Sequence, residues 1–200
     1  MDIDMMLDII QKTRTVRKFQ EGIIIPRETL LKLLDLARLG GSARNNQPLC
    51  YMLITKREQR EKIFPLLGWA GYLNDWPGPK EGERPAAYIL CLLDSKRCKG
   101  PENEAHFDLG IASQSIMLGA AEQGIFGCRI GSFSNNAVAD IFALPDRYKP
   151  LLVLALGYPA EEVVLEEMGQ DGDIRYWRDT DGVHHVPKRP LSDIVLEQGS

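Results

Sequence analysis

The chain has 200 residues, a formal charge of −4 and 44% hydrophobic residues. That length buries one substantial core and leaves no room for two comfortable domains. The acidic balance excludes a generic polyanion binder, so no nucleic acid is expected as a partner. No apolar run reaches the length that spans a bilayer, so no membrane is expected either.

The opening MDIDMMLDII is acidic and amphipathic, with neither the basic start nor the cleavage site of a secretion signal, which points to a cytoplasmic location. Met5, Met6, Ile9 and Ile10 make an apolar stripe that predicts a helix over 4–13. A second helix is expected after Ile25, with Pro26 in its first turn and a stop at Gly40-Gly41. CYMLIT (50–55) reads as a buried strand, and a charged helix follows from Lys56. Residues 74–85, NDWPGPKEGERP, hold three prolines and two glycines and read as a loop. AAYILCLL (86–93) is the second strand.

A long helix is predicted over 103–124, where Gly110, Ala112, Ser113, Gly119, Ala120 and Ala121 alternate with Leu109, Ile111, Ile116 and Met117. Small residues let two helix backbones approach closely, and apolar character on most sides means burial on most sides. A central core helix of a monomer satisfies that pattern, and so does a helix covered by a second subunit. IFGCRI (125–130) and LLVLALGYP (151–159) give two more strands, with a helix over 135–144 between them. IRYWRD, then Thr180-Asp181-Gly182, then VHHVPK predicts a hairpin. The sum is an α+β or mixed α/β single domain over 1–200, with a small central sheet among many helices.

Cys50, Cys91, Cys98 and Cys128 have no CxxC spacing and read as small buried hydrophobes in a reducing compartment. His184 and His185, as neighbours on a strand, point to opposite faces and cannot share one ion, so no metal is expected. His106 and Asp108 fall at the start of the long helix, where a carboxylate suits the positive end of the dipole. Trp69, Tyr72 and Trp76 suit either a pocket lid or a hydrophobic patch beneath a long loop.

Three polar clusters carry the chemistry. Thr13-Arg14-Thr15-Val16-Arg17-Lys18 combines hydroxyls with two guanidinium groups, a set suited to a phosphate monoester. Ser42-Ala43-Arg44-Asn45-Asn46-Gln47 offers side chains that both donate and accept, as reading the edge of a planar heterocycle requires. Lys188-Arg189 adds a third, basic pair near the end of the chain. Taken singly, each is also explained as a solvated surface feature.

In order along the chain, these segments resemble the nitroreductase family of flavoproteins. TRTVRKF is similar to its RRSxRxF segment, SARNNQP to its PSxxNxQP loop and GIFGCRIGSF (124–133) to its strand and turn before the flavin. LLVLALGYP resembles the strand ending in GYP, and VPKRPLSDIV the basic terminal segment. The resemblance implies an intertwined homodimer around a mostly antiparallel sheet, with the tail over 170–200 reaching the partner subunit. It implies FMN held at its phosphate by Arg14, Thr15 and Arg17, joined by Lys188 and Arg189. Ser42, Asn45 and Gln47 would lie along the ring or ribityl chain, in the partner's half of the site. Ile130, Gly131 and Ser132 would pass close to the flavin, with the Gly131 N–H facing its N5.

The activity so implied takes hydride from NADH or NADPH and reduces a small-molecule electron acceptor, such as a nitroaromatic or quinone, in a two-step flavin shuttle. That chemistry needs no side-chain nucleophile or base, so no catalytic residue is named. No GxGxxG turn is present for a dinucleotide pyrophosphate, which favours FMN over FAD. The alternatives are a flavin-binding protein without turnover, for storage or sensing, and the same fold with other flavin chemistry. Three positions depart from the family pattern: Thr13 where arginine is common, Gly41 where proline is usual and Arg129 where an aromatic is common.

Overall fold

Strand β2 (Ala87–Asp94) is buried at every position because it lies inside a four-stranded antiparallel sheet. The computed structural model, which describes residues 2–73 and 75–196, orders that sheet β1-β2-β4-β3. Its other strands are β1 (Leu49–Ile54), β3 (Phe126–Ile130) and β4 (Tyr148–Gly157). The alternation of a strand sends Ile89 and Cys91 to one face and Tyr88, Leu90 and Leu92 to the other. On the first face they meet Leu30 and Leu33 of α2 (Arg27–Leu39) and Leu109, Ile116 and Met117 of α4 (Glu104–Glu122). On the second they meet Ile63 of α3 (Arg57–Ile63) and Val138 of α5 (Asn135–Ile141). Helix α1 (Ile3–Lys12) is capped by Asp2, which accepts from the Met5 N–H at 2.9 Å.

The expected α+β architecture is therefore present, with several local differences. Pro26 is the cap of α2 and not part of its first turn. Strand β1 is only half-buried, except for Ile54, because it is an edge strand. Cys91 and Cys128 are buried, whereas Cys50 and Cys98 are half-buried, and all four are free thiols. The small residues of α4 answer first to α2 in the same chain: a Cβ on Gly119 would collide with Leu36 and come within 3.2 Å of Leu33. Outside that contact Phe107 and Ile111 of α4 stay 68% and 46% exposed, as does much of Leu36 and Leu39 on α2. Among the described residues no helix is long and apolar enough to cross a membrane.

A second sheet, ordered β5-β7-β6, is built from the chain's end. The predicted hairpin forms between β6 (Trp177–Arg178) and β7 (His184–Lys188), with Arg178 opposite His184. Asp179 Oδ1 accepts the Asp181 and Val183 N–H groups, and Gly182 supplies the φ of +84° that the turn requires. Strand β5 (Val163–Glu167) was not foreseen; it pairs parallel with β7 through a partner far along the chain. Of the predicted tail, residues 197–200 lie outside the described residues.

Candidate functional site

The segment after α1 runs along the free edge of β3. Thr15 bridges Gly127 in parallel, and the Val16 N–H donates to the Gly127 carbonyl at 3.0 Å. Two of the predicted groups, Arg14 to Arg17 and Ile130 to Ser132, are thereby joined through one strand. Arg14 folds back to donate to the Ile10 carbonyl at 2.6 Å, lining a cleft of about 140 Å³ with Lys12, Val16, Phe126 and Glu161. Burial pulls its pKa below the ordinary arginine value.

Arg17, expected at the phosphate, faces the tail of the chain. It is buried, its guanidinium 3.2 Å from His184 Nε2 and 4.6 Å above the centre of the Tyr176 ring. Glu161, missed in the sequence, organises this corner. It accepts the Arg17 and Lys18 backbone N–H groups on one oxygen and Arg178 at 2.7 Å on the other. The tail hairpin is also tied to the 69–76 loop, through Tyr72 against Tyr176 at 5.0 Å and Arg178 over Trp76 at 4.4 Å. Trp69 packs instead on Phe64, inside the chain.

His184 gives the corner a measurable signature. Burial and then Arg17 lower its pKa to about 4, with Glu161, Arg178 and His185 as the other charged or titratable neighbours. The unfolded chain keeps an imidazole near its usual ~6.5. Between those values the unfolded state binds a proton that the folded state refuses. Stability is therefore full above about pH 6.5 and falls as the pH drops toward 4. Thermal melts across that window should show the decline, and His184→Gln should flatten it; an unchanged slope would assign the titration elsewhere.

At the end of β3, Ile130 is buried but Gly131 and Ser132 are exposed. A Cβ on Gly131 would meet nothing within 4 Å, so the backbone there is open to a flat ligand. The Ser132 carbonyl accepts the Gly68 N–H at 2.7 Å, which places the start of the 69–76 loop beside this opening. Arg129 points to α4, donating to Ser113 at 3.1 Å and Gln114 at 2.6 Å, with its pKa lowered by burial.

The Ser42 to Gln47 loop lies elsewhere. It leads into β1, at the opposite sheet edge from β3, roughly 14 Å away across three strand spacings. Ser42 and Gln47 line a cavity of about 470 Å³ with Leu34, Tyr51 and Ala112, and Asn45 faces solvent. Asp108 does not cap its own helix, as the pattern suggested; it binds this loop through the Ser42 hydroxyl and the Ala43 N–H. A lone charge among the apolar positions of the long helix was the signal available for it. Lys188 and Arg189 are exposed at the end of β7, about 13 Å along the strand from His184.

These donors fit a phosphate-bearing flavin. Among the described residues, Arg14 and Arg17 each keep a buried Nε with no hydrogen-bond partner, and Gly131 leaves open backbone on the same sheet edge. Asn45 and Gln47 pair with each other at 3.0 Å and leave one amide group each for a ligand. One chain gathers the first set and holds the second apart.

The chain is also similar to known proteins. The sequence pattern of the Nitroreductase family matches residues 10–158. A Methanothermobacter thermautotrophicus protein with the provisional name NADH dehydrogenase/NAD(P)H nitroreductase is 31% identical over 160 residues, covering 78% of each chain. NADPH-flavin oxidoreductase of Vibrio harveyi is 24% identical over 166 residues, covering 76% of this chain and 65% of its own. Among solved structures, a nitroreductase family protein of Clostridium difficile superposes with a TM-score of 0.66 at 22% identity, covering all of both chains. NADPH:FMN oxidoreductase of Vibrio harveyi, solved with NAD+, gives 0.68 at 19% identity, covering 97% of this chain and 77% of its own. At those identities the structural likeness speaks for the fold alone.

Proposed function

The chain belongs to the nitroreductase family, and from that premise we propose that it is an FMN-dependent NAD(P)H oxidoreductase acting as a homodimer in the cytoplasm. The observation that carries the reading is the open backbone at Gly131, on the same sheet edge as the basic segment over 14–17. FMN held there would supply the redox chemistry between NADH or NADPH and a small oxidised acceptor such as a nitroaromatic or quinone.

The protein's own residues bind and orient. Arg14 and Thr15, with Lys188 and Arg189 from the tail, are assigned to the phosphate. Arg17 stands behind them, and its buried positive charge favours an anion on that side. The Gly131 N–H is assigned to the ring edge, where a side chain would keep backbone and flavin apart. Ser42, Asn45 and Gln47, too far across the sheet to join them within one chain, are assigned to the flavin of the partner. The exposed Phe107, Ile111, Leu36 and Leu39 support a second copy as the cover for α2 and α4. A dimer completes both sites at once.

The purified protein should be yellow and release FMN, not FAD, on denaturation. Light scattering should give about twice 22.5 kDa. Anaerobic addition of NADH or NADPH should bleach the flavin band, and an acceptor should restore it. A flavin that binds but is not bleached would mean storage or sensing instead, and released FAD would overturn the cofactor assignment.

A further inference from the structure

We propose that Asp108 is a positioning residue that holds the Ser42 to Gln47 loop in the shape that reads the flavin, an inference that rests on the FMN reading above. The loop is unusual in its backbone. Arg44, Asn45 and Gln47 have φ of 54°, 54° and 49°, so three non-glycine residues out of four adopt the left-handed region. Side chains other than Gly and Asn seldom go there, because Cβ crowds the following carbonyl. Released from its contacts, such a loop relaxes to another conformation, and something must hold it.

The restraint comes from one helix. Asp108 is 4% exposed and divides its two oxygens between adjacent residues at the start of the loop. Oδ2 accepts the Ser42 hydroxyl at 2.6 Å, and Oδ1 accepts the Ala43 N–H at 2.8 Å. The Ser42 oxygen in turn accepts the Gln47 N–H at 2.9 Å, so carboxylate, hydroxyl and amide form a relay from one end of the loop to the other. Each of the three groups also fixes the next one's orientation. One turn earlier on α4, Glu104 grips the guanidinium of strained Arg44 with both oxygens, at 3.0 to 3.1 Å.

Among the described residues Asp108 makes no ion pair, and both its oxygens accept from the loop's donors. The result is that Asn45 and Gln47 stay exposed, linked to each other, with their free amide groups turned outward. Those are the groups assigned to the ring and ribityl chain, which FMN and riboflavin share. The phosphate lies with the other set of residues. Asp108 therefore affects both flavins alike, whereas a phosphate ligand affects FMN alone.

The test measures FMN and riboflavin binding by fluorescence quenching in Asp108→Ala, Asp108→Asn and Glu104→Gln, with amide exchange at Ala43 and Gln47 in the flavin-free proteins. Asp108→Ala should speed exchange at both amides and weaken both flavins equally, on the order of 10- to 100-fold. Asp108→Asn should recover most of the binding, since its carbonyl still accepts the Ala43 N–H and its amide can donate to Ser42. Glu104→Gln loosens only Arg44 and should weaken both flavins several-fold; it keeps the test open if Asp108→Ala does not fold. Faster exchange with unchanged affinity for both flavins would overturn the proposal, as would an Asp108→Asn loss as deep as that of Asp108→Ala. A wild-type protein that binds neither flavin would bring down the flavin reading itself, and the exchange data would still show whether Asp108 holds the loop.

Discussion

Gly127→Ala should melt well below the parent protein, while Gly131→Ala, four residues on, should melt with it. A Cβ at Gly127 would drive into the Ala155 carbonyl oxygen and lie 2.7 Å from a Leu156 methyl. That oxygen belongs to the backbone of β4, which is hydrogen-bonded to strands on both sides and has nowhere to retreat. Overpacking usually costs about 1–3 kcal/mol, and a clash with sheet backbone sits at or above the top of that range. For a chain of this length about 3 kcal/mol corresponds to a fall of roughly 6–12 °C. At Gly131 the added methyl meets nothing within 4 Å, so its cost falls on ligand binding instead. There it would separate the backbone N–H from the ring and reduce turnover with NAD(P)H on the order of 10- to 100-fold. Melting curves and flavin reduction on the two variants decide it. A Gly131→Ala protein with full activity would remove this residue from the site.

Glu161→Ala should be the most damaging single truncation of a polar side chain. The carboxylate is 2% exposed, and Arg178, its ionic partner, is 14% exposed. Truncation leaves a buried guanidinium without its counter-charge and strips the acceptor from two backbone N–H groups, at Arg17 and Lys18. Breaking a buried pair from one side costs about 3–5 kcal/mol. Glu161→Gln, which keeps an acceptor but loses the charge, should cost roughly half as much. Pairing Glu161→Ala with Arg178→Met separates the two contributions: recovery in the double variant assigns the loss to the orphaned charge. If Glu161→Ala melts within a degree or two of the parent, the corner is not closed as described.

What the sequence reveals here depends on how far each residue's partners lie along the chain. Pro26 and Gly40 bracket α2 by local rules, and β2 betrays itself by seven apolar or near-apolar positions in a row, Ala87 to Leu93. The hairpin follows from Asp181-Gly182 alone. Strand β5 was invisible because VVLEE is short and charged, and its parallel partner is the second strand of the later hairpin. The site divides in the same way. Its residue types were recognisable in order, but nothing local to Arg17 shows that Tyr176 and His184 enclose it. Asp108 reads as a helix cap until Ser42 is found against it, 66 positions away. Arg44 carries no local sign that its backbone is left-handed, since that conformation is imposed by contacts and not preferred by the residue.

The corner around Arg17 also sets an order of events as the chain is made. Its contacts reach 144 residues forward to Glu161 and 167 to His184. At a synthesis rate of about 5–20 residues per second, this arginine waits on the order of ten seconds or more for its last neighbours. Closing so long a loop is slow, because the entropy of the intervening chain is lost before any contact compensates it. Glu161, Tyr176, Arg178 and His184 all lie beyond residue 158, where the match to the family pattern ends. A ribosome that stopped there would release every matched residue, yet leave Arg17 without the groups that enclose it. Arg17 emerges well before the groups that enclose it, and its surroundings are among the last to be finished.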